Sequence, residues 1–369
     1  MRVLILGAGG FIGGRIAAGL ADSGHGIVPC GRSRERLQRL FPCAEAIGCD
    51  LAKDTAADWK ARLTDVDAVV NAAGIFRATP ANSFDAVHAT GPCALFEACA
   101  AARIPKLVQI SALGAGANAR TAFHLSKAEA DDYCMKLACE RGLNGWTVVR
   151  PPLVIGQGGQ STALFAALAA LPFPLRLGEG AWAVQPIHVA DLARAVRLVL
   201  ERDGGVPPML DLMGPAPMTT DELTQALRRW LGLRPARMFP VPERALRAAT
   251  PLGRLFSMDA LSEDGLAMLK QGNTASVAPL AQALNWTPRE AGAALASEPS
   301  TEAALWHARL FFLRPALRMG LAALWIWTAI VSAFIYPMEK STAMVAGLGV
   351  SGWKAAAIVY AGSAADGIL

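Results

Sequence analysis

MRVLILGAGGFIGGRIAAGLADSG, residues 1–24, decides the fold. Arg2 to Leu6 is a short apolar run with leucine and β-branched side chains, suited to a parallel strand buried on both faces. Gly7, Gly10 and Gly13 follow in the spacing G-x-x-G-x-x-G, and then GRIAAGLADSG reads as a helix. The commoner G-x-G-x-x-G spacing fails because residue 12 is Ile. Glycines let the backbone turn tightly and approach a pyrophosphate, whose charge rests on the helix N-terminus. Such glycines alone signal little; between a strand and a helix they predict a nucleotide cradle. Gly9, Phe11 and Ile12 share the turn and are binding candidates with the three glycines.

The following strand, GIVPCGRSRER, bears on which nucleotide is preferred. An NAD site asks for an acid near this strand's end, to hold the ribose hydroxyls. Here the neighbourhood is Cys30, Gly31, Arg32, Ser33 and Arg34, with no acid before Glu35. Arg32, Arg34 and a hydroxyl suit a 2′-phosphate through charge-assisted bonds, so NADP(H) is expected, with NAD(H) as the alternative. The plain reading is a pair of solvated arginines at a helix start.

The strand-then-helix rhythm continues. IGCDL ends a third strand, VDAVVNAAG forms a fourth, VQISALGAG a fifth with Ser111 at its C-terminal end, and WTVVRPPLVIG a sixth. This alternation predicts an α/β fold on a doubly wound parallel Rossmann sheet, to which the later residues are expected to add a small substrate lobe and a C-terminal helical transmembrane segment. The expected divisions are residues 1–155 for the sheet domain, with strands shared beyond it, 156–245 for the substrate lobe, 246–300 for a helical linker region and 301–369 for membrane-associated helices.

Seven motifs, GAGGFIG, CDL, NAAG, ISALGAG, HLSKAEAD, RPPLVIGQGG and PIHVADLARAV, stand in the order of the short-chain dehydrogenase/reductase superfamily. Over roughly residues 1–245 the chain resembles its extended and atypical branches, the epimerase/dehydratase-like and complex I accessory-subunit types. The resemblance implies that Gly7, Gly10 and Gly13 hold the pyrophosphate and that Asp50 and Leu51 flank the adenine. It places Ala72, Ala73 and Gly74 along the cofactor, Lys127 on the nicotinamide ribose, and Pro151 to Val154 beside the nicotinamide.

In that family Ser, Tyr and Lys act together: Ser holds the substrate oxygen, Tyr moves a proton, and Lys tunes the Tyr. Here Ser111 and Lys127 are the catalytic candidates, but Phe123 replaces the Tyr. Tyr133 lies almost three helical turns further on and cannot stand in. His124 and His188 are weaker acid candidates; His188, in a His-Val-x-Asp motif, reads as a helix cap, and Asp191 as part of the fold. Loss of a general acid removes a factor of about 10² to 10⁴. Three readings stay open: hydride transfer to an apolar acceptor that needs no side-chain acid, a nucleotide-binding assembly or sensor protein without turnover, and, least favoured, a nucleotide-sugar epimerase or dehydratase.

Beyond residue 156, Trp182 and Gln185 fall where substrates of this superfamily lie, and Thr219 with Glu222 has capping-box spacing. LAQALNWTPREAGAAL reads as an amphipathic helix interrupted at Pro288, and SEPST as a linker. EAALWHARLFFLRPALR suits a helix at a bilayer surface. MGLAALWIWTAIVSAFIY, residues 319–336, has no charge over eighteen residues and reads as a transmembrane span. Arg309, Arg314 and Arg318 just before it predict a cytoplasmic nucleotide lobe at the cell membrane. The apolar run after PMEKST is similar to the beginning of the DoxX-like family, and further spans are expected after Leu369.

Composition sets the remaining limits. Hydrophobic residues make up 53% and charged ones 18%, the apolar excess being expected in the last segment. A net charge of +5 with scattered arginines gives no support to nucleic acid as a partner. The seven cysteines form no Cys-x-x-Cys pair, so no metal site or disulfide framework is expected. The N-terminus reads as a strand rather than a signal peptide. Expected partners are a nicotinamide dinucleotide, an unidentified small-molecule substrate and the lipid bilayer, with a membrane protein complex under the assembly reading.

Overall fold

The computed structural model describes residues 1–80, 82–178, 180–255, 263–347 and 349–368. The chain divides into two compact units, Met1–Ala308 and Arg309–Leu369.

In the first unit the apolar runs become strands β1 (Arg2–Leu6), β2 (Gly26–Gly31), β3 (Ile47–Gly48), β4 (Ala68–Asn71), β5 (Lys106–Ile110) and β6 (Trp146–Arg150). Between them lie α1 (Phe11–Asp22), α2 (Arg34–Leu40), α3 (Ala56–Arg62), α4 (Gly91–Ala101), which a π-helical turn at Asp85–Thr90 precedes, and α5 (Ala122–Arg141). Then come β7 (Val154–Ile155), α6 (Gln160–Ala170), β8 (Leu175–Leu177), β9 (Ala183–Val184), β10 (Ile187–His188), α7 (Val189–Glu201) and β11 (Met209–Asp211).

Seven strands build one sheet in the order β11-β6-β5-β4-β1-β2-β3, with every pairing parallel. Its outermost strand is thus contributed from residues 209–211. Alternate side chains of β1 feed opposite faces, as a pleated strand requires. Val3 and Ile5 pack with Ile16 and Leu20 of α1 and Leu192 and Val196 of α7. Leu4 and Leu6 join Trp59, Phe96, Leu107 and Leu137 on the other face. Strand order reverses at β1, which opens a crevice at the C-terminal ends of the strands.

The smaller lobe adds β12 (Met218–Thr219), α8 (Thr220–Trp230), β13 (Phe239–Val241), α9 (Glu243–Leu255) and α10 (Glu263–Gln271). β12 pairs with β9 and β13 with β8. Thr219 and Glu222 do form a capping box at the start of α8.

Two expectations need correction. The helix expected at 280–295 is, as the interruption at Pro288 implied, two helices, α11 (Ala278–Leu284) and α12 (Ala291–Ala296), but the first already ends at Asn285. Asn285 takes the left-handed conformation, φ 48°, and ends α11 before the proline is reached. The freed segment docks instead: Arg289 donates from its backbone N and from Nε to Asp191 at 3.0 and 2.9 Å. Likewise SEPST is no free linker. Glu298 accepts from Arg15 at 2.8 Å and from Trp230 Nε1 at 2.8 Å, and Ser300 donates to the Trp230 carbonyl at 2.6 Å.

Helix α13 (Glu302–Leu310) precedes α14 (Leu313–Ile330), which runs into a π-helical turn at Val331–Ile335; α15 (Met338–Ala346) and α16 (Trp353–Ile368) complete the chain. Ala316–Ile335 has a mean hydropathy of 1.6 over its apolar window, none of it buried. Among the described residues it is the one helix long and apolar enough to cross a membrane.

Candidate active site

The crevice floor is the turn between β1 and α1. Gly7 adopts φ +75°, and a Cβ there would sit 2.8 Å from the carbonyl oxygen of Ala72. At Gly13 a Cβ would meet the Gly7 carbonyl oxygen at 2.2 Å, so the helix can rise this close to the turn only without one. The turn is closed by Gly10 N–H donating to Gly7 O at 2.8 Å. Gly10 caps α1 with no side-chain bond and no acid in the first turn. The first amides of α1, at Phe11 and Ile12, are therefore left without a side-chain cap. Phe11 also packs across the crevice, since Cβ atoms on Gly158 and Gly159 would lie 3.8 and 2.9 Å from its ring. Gly9 lies against Leu37.

Beside this turn, β2 ends in Gly31, where a Cβ would contact Leu37 at 3.5 Å. Arg32 and Arg34 are exposed, and among the described residues they make no hydrogen bond or ion pair. Ser33 is tied up as the cap of α2, accepting from Arg36 N, and binds Glu35. Arg36 had no part in the sequence reading, yet its guanidinium donates to the Gly9 carbonyl at 3.2 Å. Three cations thus flank the edge of the glycine turn, and no acid stands in Gly31's place. Asp50 caps its own turn by accepting from Ala52 N at 3.2 Å, with Leu51 buried behind it.

The next wall runs along β4 and β5. Asn71, fully buried, donates to Gln109 Oε1 at 2.7 Å and accepts from Ala73 N at 3.2 Å, which fixes the turn Ala72-Ala73-Gly74. A Cβ on Gly74 would lie 3.3 Å from Lys127 Nζ and 3.4 Å from His88 Nε2, so both nitrogens close in on this turn. Helix α5, capped by Thr121 at one end and by left-handed Gly142 at the other, carries Phe123, Lys127 and Asp131 at intervals of four, on one face.

Lys127 is 5% exposed and donates to the Ile110 carbonyl at 3.0 Å; burial draws its ammonium down to about 8. The Ser111 hydroxyl donates to Asp131 Oδ2. Asp131 is 1% exposed and is pushed up to about 6 by burial, against the pull of Ser111, Lys127 and Arg150. Its other oxygen, Oδ1, has no partner. Ser111 is therefore present but turned inward.

Phe123 is buried in an aromatic cluster. Its ring stacks on Phe76 with centroids 4.8 Å apart and meets His88 edge-on at 5.4 Å and Phe84 at 6.2 Å. His88 accepts from Ile75 N through Nε2 at 3.0 Å, and its Nδ1 lies 3.0 Å from Ser126 Oγ, which itself donates to Phe123 O. Nδ1 must then carry the proton. Burial and the Lys127 charge push His88 down to about 3, so the ring stays neutral. His88, like Asn71, Gln109 and Asp131, was not singled out from sequence; a lone buried polar residue carries no spacing signal.

Of the other candidates, His124 touches this cluster, its ring meeting that of Phe123 edge-on at 5.5 Å, while the rest stand apart or serve the fold. Tyr133 donates to Glu97 on α4. His124 binds Thr121 Oγ1 at 3.1 Å beneath Gly114 and is held below its ordinary value by burial. His188 caps α7 by accepting from Ala190 N, and Asp191 holds Arg289. Gln185 is 1% exposed and bound at both ends, donating to Gly214 O at 2.8 Å and accepting from Ala275 N at 3.0 Å, which ties it to the fold. Trp182 covers Gly178. Leu113 N–H donates to Pro151 O at 2.8 Å, placing Pro151 and Val154 beside the end of β5. Among the described residues no cluster of His, Cys, Asp and Glu could hold a metal.

A glycine-cradled helix N-terminus at the reversal point of a doubly wound sheet, with a buried lysine over the next strand end, defines an NAD(P)-binding Rossmann protein. The chain belongs to the NAD-dependent epimerase/dehydratase family, whose pattern matches residues 3–210, and residues 322–369 match the DoxX-like family. It is similar to the mitochondrial NADH-ubiquinone oxidoreductase 40 kDa subunit of Neurospora crassa, 26% identical over 66% of this chain. The match spans 63% of that relative's length, less than two thirds. An epimerase family protein of Arabidopsis thaliana chloroplasts is 26% identical over 67% of this chain and 75% of its own. The crystal structure of UDP-glucuronic acid 4-epimerase from Bacillus cereus shares the fold, with a TM-score of 0.62 at 15% identity over 84% of this chain and all of the other.

Proposed function

We propose that the chain is a membrane-attached oxidoreductase that binds NADP(H) in preference to NAD(H) and passes electrons to an apolar acceptor. The observation that carries this is the aromatic wall of Phe76, Phe84 and Phe123 where a proton-donating phenol would stand. A bound nicotinamide dinucleotide supplies a two-electron reductant there. The chain's own residues do the rest. Gly7, Gly10, Gly13 and the amides of Phe11 and Ile12 seat the pyrophosphate. Arg32 and Arg34, with Arg36 behind them, take the 2′-phosphate, and Asp50 and Leu51 border the adenine. Lys127 orients the ribose, with Ala72 to Gly74, Pro151 and Val154 lining the groove. The rings around Phe123 favour a flat, apolar acceptor, which would take the hydride and draw the one remaining proton from solvent. Arg309, Arg314 and Arg318, before and at the start of the apolar helix, favour a cytoplasmic nucleotide lobe at the cell membrane.

The test mixes purified protein with NADPH and a short-tailed quinone and follows the nicotinamide absorbance. Acceptor-dependent oxidation supports the proposal; none above background across several apolar acceptors overturns it. One observation favours a second reading, in which the lobe binds nucleotide for assembly or sensing and does not turn over. The Ser111 hydroxyl is committed to Asp131. That reading expects nucleotide to stay bound through purification and Ser111→Ala to change neither retention nor oxidation.

A further inference from the structure

Residues 228–248 hold six arginines (228, 229, 234, 237, 244 and 247) against one acid, Glu243. Their net +5 equals that of the whole 369-residue chain, so the rest of the molecule balances to zero. This charge lies around the paired strands β8 and β13. At their edge two phenylalanines project into solvent, Phe173 at 65% and Phe239 at 52% exposure, their rings in edge-to-face contact at 5.3 Å. Pro172, Pro240 and Pro242 flank them, all exposed. Arg234, Arg237 and Arg244 are also exposed, and among the described residues their side chains have no acid partner. Glu243 is already neutralised by Arg247 and Lys270, and Asp221 by Arg176.

Paired aromatic rings rimmed by unpaired guanidiniums are the composition of a surface that sits at a lipid headgroup boundary. The rings enter the acyl edge and the cations meet anionic headgroups. The same chain carries a DoxX-like segment and one apolar helix of spanning length, so a bilayer is its expected neighbour. We infer that the Phe173–Phe239 edge of the smaller lobe docks on the anionic face of the membrane. The docking would hold the lobe against the bilayer and not merely on a tether. It rests on the membrane attachment proposed above and is independent of the redox chemistry.

The experiment reconstitutes the full chain into nanodiscs of phosphatidylcholine alone and of phosphatidylcholine mixed with phosphatidylglycerol. It then reads amide hydrogen exchange in peptides covering residues 171–178 and 233–245. Exchange in both peptides is expected to slow roughly fivefold or more in the anionic discs, each arginine near such a surface contributing about a fivefold factor. Phe173→Ser with Phe239→Ser, and separately Arg234→Gln with Arg237→Gln, should each abolish the difference. The arginine pair, being fully surface-borne, keeps the test valid if the serine variant folds poorly. Equal exchange in the two discs overturns the docking while leaving membrane attachment standing. Protection that persists in detergent and grows with protein concentration overturns it in favour of a second copy of the chain. A chain that does not enter discs at all removes the attachment and this inference with it.

Discussion

Asp131 and Lys127 lie one helical turn apart in the dry base of the crevice, and each is pushed towards its neutral form. The carboxyl of Asp131 titrates near 6 instead of 3.8. Between those two values the folded chain keeps a proton that the unfolded chain has lost. This contribution to stability is whole below 3.8 and gone once the pH has risen past 6. Asp131→Asn keeps an acceptor for Ser111 and deletes the titration. The difference in unfolding free energy, wild type minus variant, should therefore fall by about 2–3 kcal/mol between pH 4 and 6. Thermal melts across that range would read it, and a constant difference would refute the buried pair. At the other end of the groove, Arg32→Ala with Arg34→Ala should weaken NADP(H) binding about 10- to 100-fold, because two charge-assisted contacts to one phosphate are lost. Binding of NAD(H) should stay within about twofold. Calorimetry with both nucleotides measures the contrast, and equal losses would mean that these arginines do not read the 2′ position.

At the scale of elements, the turn between β1 and α1 tolerates no extra atom. Gly13→Ala would drive a methyl to within 2.2 Å of the Gly7 carbonyl, which is backbone and cannot swing away as a side chain can. The cost should be about 3 kcal/mol in stability, together with loss of nucleotide binding in calorimetry; a variant that binds normally would show the turn to be softer than its geometry. This turn was legible in sequence because glycine spacing between a strand and a helix reports a steric need directly. The six strands from Arg2 to Arg150 were legible too, since buried parallel strands write themselves as short apolar runs. Less could be read where contacts are distant in sequence. Nothing local to SKAEAD says that Ser111 will turn towards Asp131, nor that His88 will end beside Lys127. Asn285 ends its helix by taking a left-handed conformation, which its sequence neighbours do not signal as plainly as a proline signals a break. Gln185 pointed to a substrate by position, yet both ends of its amide are consumed by backbone.

The molecule as a whole is two units, and the second carries the apolar helix of spanning length. Residues 1–308 hold the sheet, the crevice and the smaller lobe. Expressed alone they should stay monodisperse without detergent and bind nucleotide within about threefold of the full chain, as a domain with its own core does. Aggregation of this piece in gel filtration would show that the nucleotide unit relies on the C-terminal helices. The ties that Arg289, Glu298 and Ser300 make to Asp191, Arg15 and Trp230 also set an order of events during synthesis. A lobe whose first strand begins at Arg2 cannot finish closing until residue 300 has left the ribosome, roughly 15–60 s after initiation at ordinary elongation rates. The apolar helix at 316–335 emerges a few seconds later. Under the proposed membrane attachment, completion of the nucleotide lobe and delivery of this apolar helix to the insertion machinery run on one clock. A slower elongation rate once residue 300 has emerged, with the apolar helix still inside the ribosome, would let the lobe close first and spare the nascent chain from exposing two unfinished surfaces together.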